Sequence, residues 1–210
     1  MAAASVIETT TPSPVLSRDP RTVRSRAAVL QATVELMVER GVHTVSVDAI
    51  VERSGVAKTT VYRHWPTREA LMMAAWQTLV STDDVDPSGT MHEQLRTLAL
   101  AFAVRLGTPP MSLLLPDLMA ASARDPKMRA MYDEVVRSRR RPVVETVEAG
   151  IAAGLLPAST DAEFVCQLIL GPIAYEQLLR HVKVDAAFVD RLVTVVLEAA
   201  NHNMICTTCD

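Results

Sequence analysis

Apolar residues recur along this chain at intervals of three and four positions, the spacing that places them on one face of an α-helix. The first such stripe lies within a predicted helix from about Arg21 to Arg40 and comprises Val29, Ala32, Leu36 and Met37. The alternation of apolar and polar residues that marks a half-buried strand does not occur over any useful length. The pattern therefore predicts an all-α fold.

Two short helices are predicted next, Ser46–Arg53 and Lys58–His64, joined by the turn Ser54-Gly55-Val56. Glycine adopts the positive φ of such a turn without the steric penalty of a Cβ atom. Ser46 can cap the first of these helices with its hydroxyl group. Five apolar side chains would pack the two helices together, namely Val47, Ile50, Val51, Val61 and Trp65. This is the pattern of a helix-turn-helix.

The outward face of the second short helix has cationic, hydroxyl and aromatic groups and no carboxylate: Lys58, Thr59, Thr60, Tyr62, Arg63 and His64. Such a face offers donors for phosphates and short hydroxyls for base edges, which is what a DNA-reading helix needs. Arg24 and Arg26 lie where the first helix begins and would reach DNA phosphates or a minor groove. The alternative is that they are solvated side chains at a helix start. An ordinary helical hairpin with a polar outer face is the alternative for the whole unit.

The remainder of the chain keeps the helical period. Further helices are predicted over about 67–81, 92–106, 111–123 (bent or divided by Pro116), 126–154, 161–181 and 185–203. The acidic, turn-forming stretch Asp83–Gly89 is a predicted linker. We therefore expect a disordered arm over residues 1–20, a helix-turn-helix domain over 21–66, a larger helical domain over 67–203 and a tail over 204–210.

Two features of the larger domain allow more than one interpretation. Its last two helices have broad apolar faces, which would either lie inside one domain or pair with their counterparts in a second subunit. The arginine run Arg139-Arg140-Arg141, with Arg137 before it, is expected to form a solvated face paired with acids on neighbouring helices. Binding of an anion is the alternative for this cluster.

Composition limits the function classes. Hydrophobic residues make up 49% of the 210 residues but aromatics only 4%, so the core is mainly aliphatic. Residues 21–70 carry eight basic and five acidic side chains, and residues 71–210 carry twelve basic and seventeen acidic ones. This asymmetry favours an N-terminal part that binds nucleic acid, followed by a part that does not. No secretory signal and no run of about 18 apolar residues occurs, so a cytoplasmic protein without a membrane partner is expected.

A longer ordered pattern surrounds the helix-turn-helix: Val29-Leu30-x-Ala32-x-x-x-Leu36-Met37-x-x-x-Gly41, Ser46-Val-x-x-Ile50, Ser54-Gly55-Val56-Ala57-Lys58-x-Thr60-Val61-Tyr62-x-His64-Trp65 and Arg68-Glu69-x-Leu71. Over residues 29–71 it resembles the DNA-binding domain of the tetracycline-repressor (TetR) family of bacterial transcriptional regulators. The stretch Gly150–Tyr175 resembles one of the family's C-terminal subtypes. The sequence departs from the family pattern at Val51, Ala57 and Thr59, where a small residue, a serine and a glycine are usual.

The resemblance implies about nine helices, with a C-terminal domain that senses ligands and dimerises. It implies a homodimer that binds a palindromic operator in double-stranded DNA, as a repressor that a small hydrophobic ligand releases from that operator. Ser46, Lys58, Tyr62 and His64 would contact phosphates, and Thr59 and Thr60 would approach base edges. Because alanine replaces the usual serine at Ala57, the second short helix lacks a capping hydroxyl.

Two further sets of residues follow from the resemblance. An effector pocket would be lined by Trp76, Leu98, Phe102, Leu114, Leu118, Met131, Tyr132 and Phe164, for each of which ordinary core packing is the alternative. The dimer interface would contain Leu168, Pro172, Ile173, Tyr175, Leu179, Leu192 and Val196.

Other chemistry has weaker support. The five histidines lack the spacing of metal ligands and no glycine-rich phosphate loop occurs, so we expect neither an enzyme nor a cofactor. The pattern His202-x-x-x-Cys206-x-x-Cys209 has spacing suited to zinc or to a redox pair, and a redox- or metal-responsive DNA-binding regulator is therefore the alternative function. The pattern lies at the chain end, where structure commonly frays. Cys166 is expected to be a buried core thiol.

Overall fold

The computed structural model describes residues 20–80 and 88–206, and the elements within them are helical. Within these residues the α-helices are α1 (Pro20–Arg40), α2 (Val47–Ser54), α3 (Lys58–His64), α4 (Arg68–Val80), α5 (Met91–Leu106), α6 (Met111–Ser122), α7 (Pro126–Ala152), α8 (Ala162–Ala174) and α9 (Ala186–Asn201). The prediction of an all-α fold is confirmed. Most of the predicted arm and linker, and the last four residues, lie outside the described residues.

Side-chain caps account for where most of these helices begin. The Oγ atom of Ser46 accepts a hydrogen bond from the N–H of Ala49 at 3.2 Å, and Gly55 ends α2 with a φ of 67°. Thr90 and Glu93 form a reciprocal capping box at the start of α5. Asp125, Asp161 and Asp185 cap α7, α8 and α9. Ala57 provides no side-chain cap for α3, as its sequence predicts.

Two prolines affect the helices differently from the predictions. The α6 helix continues through Pro116 without dividing. The predicted helix over 161–181 instead ends its α-helical part at Ala174 and continues as a π-helical turn, Tyr175–Leu179. Pro172 lies inside α8, where it cannot donate to the carbonyl of Leu168 four residues back, and the α-helix continues two residues past it. Beyond it, the N–H of Arg180 donates to the carbonyl of Tyr175, five residues back.

The first hydrophobic core runs from the helix-turn-helix into the rest of the molecule. It joins α1, α2 and α3 to α4, α6 and the first half of α7, with Ile50, Val61, Trp65, Trp76, Leu118 and Met131 among its buried members. Hydrophobic packing is thus continuous across residues 66 and 67. The helix-turn-helix and α6 therefore pack against the same hydrophobic core.

The second core unites α5, the second half of α7, α8 and α9. Phe102 packs against both cores and lies where they meet. No single helix in the described ranges is long and apolar enough to cross a membrane. The pair α5 and α6 meets that test only together, with a bend of 81° between them.

Polar contacts brace the loop between α1 and α2. The guanidinium of Arg68 donates to the backbone carbonyls of Val42, His43 and Val45. On the opposite side, the carboxylate of Asp117 in α6 accepts a hydrogen bond from the N–H of Val42. The loop is therefore tied both to the first residue of α4 and to the middle of α6.

Arg53 ties α2 to α1. Its guanidinium makes two hydrogen bonds, of 2.8 and 2.7 Å, to the carboxylate of Glu39 and approaches Glu35. This pairing lowers the pKa of Glu39 and raises that of Arg53. The groups are solvent-exposed, so the bridge orients α2 more than it stabilises the fold.

We predict that Gly55→Ala lowers the free energy of unfolding by about 1–2 kcal/mol, because its φ of 67° forces a Cβ atom into the left-handed region. A Cβ atom there would meet no heavy atom within 4 Å, so the loss comes from the backbone alone. Urea unfolding measures it. Gly55→Asn is the matched control, because asparagine tolerates this conformation. Equal losses for both variants would show that the backbone conformation is not the cause.

Candidate nucleic-acid interface and ligand cavity

The α3 helix separates its apolar and polar side chains cleanly. Val61 and the adjoining Trp65 are buried in the first core. The side chains predicted to face outward are mostly exposed, with Lys58, Thr59, Tyr62 and Arg63 open to solvent and Thr60 and His64 half-buried. The exposed set forms a continuous polar surface with cationic, hydroxyl and phenol donors. This geometry suits contact with a phosphate backbone and base edges.

A carboxylate from the neighbouring helix reaches this surface. The Nζ atom of Lys58 lies 2.6 Å from an Oδ atom of Asp48 in α2, and the hydrogen bond raises the pKa of the lysine ammonium group. The sequence pattern of α3 shows no acid, since Asp48 belongs to a different helix. Lys58 is therefore charged and paired before any phosphate arrives.

The arginines of α1 occupy two different settings. The guanidinium of Arg26 lies 5.4 Å from the centroid of the Trp65 ring, a cation–π contact between α1 and the end of α3. The ring of His64 lies 5.5 Å from the same indole. Arg24 is exposed, and its Nε donates to the carbonyl of Pro20 at 3.3 Å. Arg26 thus contributes to the position of α3 as well as to the positive charge beside it.

A cavity of about 590 Å³ lies between the two cores, bounded by α5, α6, α7, α8 and the π-helical turn. Its wall consists of Phe102, Leu106, Leu115, Pro116, Met119, Tyr132, Val136, Arg139, Arg140, Cys166, Gln167, Leu170, Gly171, Ala174, Tyr175, Leu178 and Leu179. This volume is within the range of small-molecule sites in proteins. The wall is mainly apolar, with two arginines from one helix.

Two of the eight predicted pocket residues, Phe102 and Tyr132, lie in this wall. The structure places Trp76, Leu114, Leu118 and Met131 inside the first core, Leu98 against the second core, and Phe164 on the surface, 43% exposed. Sequence periodicity finds the apolar face of each helix but does not separate residues that meet other side chains from residues that border a void. The α8 and π-helical part of the wall was missed for that reason.

Arg139 differs from the other arginines of α7. Arg129, Arg137, Arg140 and Arg141 each have a carboxylate partner. Arg139 has none among the described residues. Its guanidinium lies 5.9 Å from the Phe102 ring centroid and contacts Met111, and its Nε atom is buried without a hydrogen-bond partner. The prediction of a solvated, acid-paired face is therefore wrong for Arg139.

Burial of Arg139, together with the positive charge of Arg105, lowers the pKa of its guanidinium to about 10. The Nε atom of Arg140 is also buried without a partner, although another nitrogen of that side chain pairs with Glu163. Two arginines of the cavity wall thus each have a buried donor without a partner among the described residues. The arginine run in the sequence was the available signal for them.

The α6 helix belongs to both the cavity and the contact with the helix-turn-helix. Leu115, Pro116 and Met119 form part of the cavity wall. Asp117, between them in sequence, receives the hydrogen bond from Val42 in the α1–α2 loop. A shift of α6 would therefore move both the cavity wall and the α1–α2 loop.

The residues predicted for a dimer interface fall into two groups. Ile173 and Val196 are buried inside the subunit, in the second core. Tyr175 and Leu179 are exposed, whereas Leu168, Pro172 and Leu192 are half-buried. Val195, one residue away from Val196, is 62% exposed and belongs to the outer face of α9.

The proposed zinc or redox pattern is only partly described. Cys206 is half-buried, and its backbone forms a β-bridge with Thr160. Cys209 lies outside the described residues. Within the part of the chain that is described, no group of three or more His, Cys, Asp or Glu side chains could hold a metal ion. Cys166 is buried in the second core, as predicted, and burial raises the pKa of its thiol.

Family matches cover the helix-turn-helix part and the C-terminal helices of the chain separately. Residues 29–75 match the family described as bacterial regulatory proteins, tetR family, and residues 85–196 match the tetracyclin repressor-like C-terminal domain. The uncharacterized HTH-type transcriptional regulator YdeS of Bacillus subtilis is 31% identical over 83% of this chain and 88% of its own.

Two solved structures share the fold. The TetR family transcription regulator SCO0332 has a TM-score of 0.63 at 26% identity, covering 83% of this chain and 97% of that one. The regulator FadR of Bacillus subtilis, solved in complex with stearoyl-CoA, has a TM-score of 0.57 at 21% identity, covering 83% and 96%. The helix-turn-helix geometry and these matches together lead to one conclusion. The chain belongs to the TetR family of bacterial transcriptional regulators.

Proposed function

We propose that the protein is a homodimeric repressor that binds a palindromic operator in double-stranded DNA and leaves it when a small molecule enters the cavity. In this proposal it acts in the cytoplasm, as a non-enzymatic switch that needs no cofactor. The observation that carries the proposal is the double role of α6, which forms cavity wall and holds the α1–α2 loop through Asp117. Ligand occupancy and operator affinity are thereby linked through one rigid helix.

On DNA, the exposed surface of α3 would lie in the major groove. Lys58, Tyr62 and His64, with the hydroxyl of Ser46 at the start of α2, would bind phosphates. Thr59 and Thr60 would approach base edges, and Thr59 is the more exposed of the two. Arg24, Arg26 and Arg63 would add positive charge around these contacts.

We predict opposite effects from the two partners of the Lys58–Asp48 pair. Lys58→Ala removes a phosphate contact and should weaken binding to all duplexes, lowering the salt slope of log K by about 1. Asp48→Asn frees Lys58 from its partner and should strengthen binding to specific and random DNA alike. Fluorescence anisotropy across a salt series measures both.

Asp133→Asn, a change of the same charge on α7 far along the chain, is the control for net charge. If Asp133→Asn strengthens DNA binding as much as Asp48→Asn does, the local pairing of Lys58 has no role.

A second subunit is supported by the apolar surface on the last helices. Phe164, Tyr175, Leu179 and Val195 are large apolar side chains exposed on α8, the π-helical turn and α9. Exposed apolar groups clustered on neighbouring helices mark interaction surfaces. One α3 helix contacts few base pairs, whereas two related by a twofold axis would read both halves of a palindrome.

We predict that Val195→Glu converts the dimer to monomers and abolishes operator binding, since it places an unpaired charge in the interface. Val104→Glu is the matched control, because Val104 is 65% exposed on α5, compared with 62% for Val195 on α9. Sedimentation equilibrium gives the oligomeric state. If Val104→Glu dissociates the dimer and Val195→Glu does not, the interface lies elsewhere.

The homodimer also predicts that DNA selected by the protein from a random pool has twofold symmetry.

Ligand control is supported by the position of the cavity between the two cores. An occupant would press on Leu115 and Met119 of α6 and on Phe102, which packs against both cores. FadR, which shares this fold, was solved in complex with stearoyl-CoA, and this is consistent with a small molecule as the effector here. A thermal-shift screen, followed by operator release with each compound that binds, tests this role.

We predict that Asp117→Ala uncouples the cavity from the DNA. Loss of the acceptor should speed hydrogen exchange of the Val42 amide, by an amount that corresponds to about 1 kcal/mol for one hydrogen bond. A compound from the screen should still bind, yet release less operator. Asp117→Asn retains an oxygen acceptor and should behave more like the wild type. Unchanged release by Asp117→Ala would rule out this route.

A further inference from the structure

Arg139 places a positive charge without a carboxylate partner among the described residues in the wall of a mainly apolar cavity. Four arginines of the same helix are neutralised by carboxylates, but the surroundings of Arg139 are the Phe102 ring and the Met111 side chain. Arg139 is half-buried, and withdrawing a charge from water without giving it a partner is costly. Proteins usually remove that cost by pairing, and within the described ranges no acid is placed to do so.

Two nitrogen donors have no partner of their own. The Nε atoms of Arg139 and Arg140 are buried and donate no hydrogen bond to any atom of the described residues. A guanidinium presents its donors in a planar fork that matches the oxygens of a carboxylate or phosphate. The site is therefore complementary to a small anion.

The rest of the wall determines what kind of molecule this anionic group belongs to. Leu115, Met119, Leu170 and Leu178 present aliphatic surface, and about 590 Å³ is available beside them. A free inorganic ion would leave most of this surface uncovered. An apolar body attached to one anionic group would fill the space and meet the arginine.

We propose that the cavity binds an apolar small molecule with a single anionic head group, which pairs with Arg139 while the body packs against α6 and α8. The inference rests on the proposed effector role of the cavity and names the class of effector. Neutral hydrophobic molecules would fit the volume but leave Arg139 unpaired. The carboxylate and the phosphate share this head-group chemistry, and the experiment separates them.

The test compares decanoate, decyl phosphate and decanol by isothermal titration calorimetry, without DNA. At least one of the two anions should bind wild-type protein about tenfold or more tightly than decanol. The tighter anion identifies the head group. If decanol binds as tightly as both anions, the inference is wrong.

Arg139→Met should abolish the preference for the anion, and Arg139→Lys should retain part of it. Arg137→Met is the matched control, since Arg137 is exposed, lies on the same helix and pairs with Glu134. It should keep the full preference. If Arg139→Met folds and still prefers the anion, Arg139 does not hold the head group. If Arg139→Met fails to fold, the same comparison with Arg139→Lys against Arg137→Lys decides, and equal preferences would contradict the proposal.

Operator release is measured separately with the same compounds. Arg139-dependent binding that leaves the operator complex intact would support the ligand class and overturn the proposed function. Release of the operator by decanol as effectively as by the anions would overturn the ligand class and leave the proposed function standing.

Discussion

A recognition helix of seven residues is too short to be stable in water on its own. The position of α3 therefore depends on the burial of Val61 and Trp65 in the first core, with Arg26 over the indole ring. Because that core continues through α4 into α6 and α7, the same packing that holds α3 also determines where α6 lies. The α3 helix and part of the cavity wall therefore share one hydrophobic core.

This shared core gives a physical basis for regulation. A ligand changes an equilibrium between two conformations only to the extent that it binds one of them better. The cavity lies where the two cores meet, so an occupant acts on their relative packing rather than on a single side chain. Close-packed cores respond to such a change by discrete shifts of whole helices. In the proposed function, α6 would transmit such a shift to Val42 through the hydrogen bond of Asp117.

Charge is distributed unevenly between the two functional regions. On α3, Lys58 is exposed and already paired with Asp48, so the proposed binding to phosphate would be an exchange of partners with a modest free-energy difference. In the cavity wall, Arg139 is half-buried, with a buried Nε atom, and has no acidic partner among the described residues. An anion that enters this cavity gains more from the pairing, since little water screens it.

The amino-acid sequence by itself determined the helices, their caps and the helix-turn-helix, because these depend on local periodicity and on single residues such as Ser46, Gly55 and Ala57. Only the tertiary structure decided which apolar side chains line a cavity and which fill a core. Trp76 and Phe102 have similar local patterns, but one is enclosed and the other borders a void. Likewise, four charges in the arginine cluster look alike in sequence. Arg139 is set apart only because folding brings Phe102 and Met111 against it and no carboxylate of the described residues, so its environment depends on residues distant along the chain.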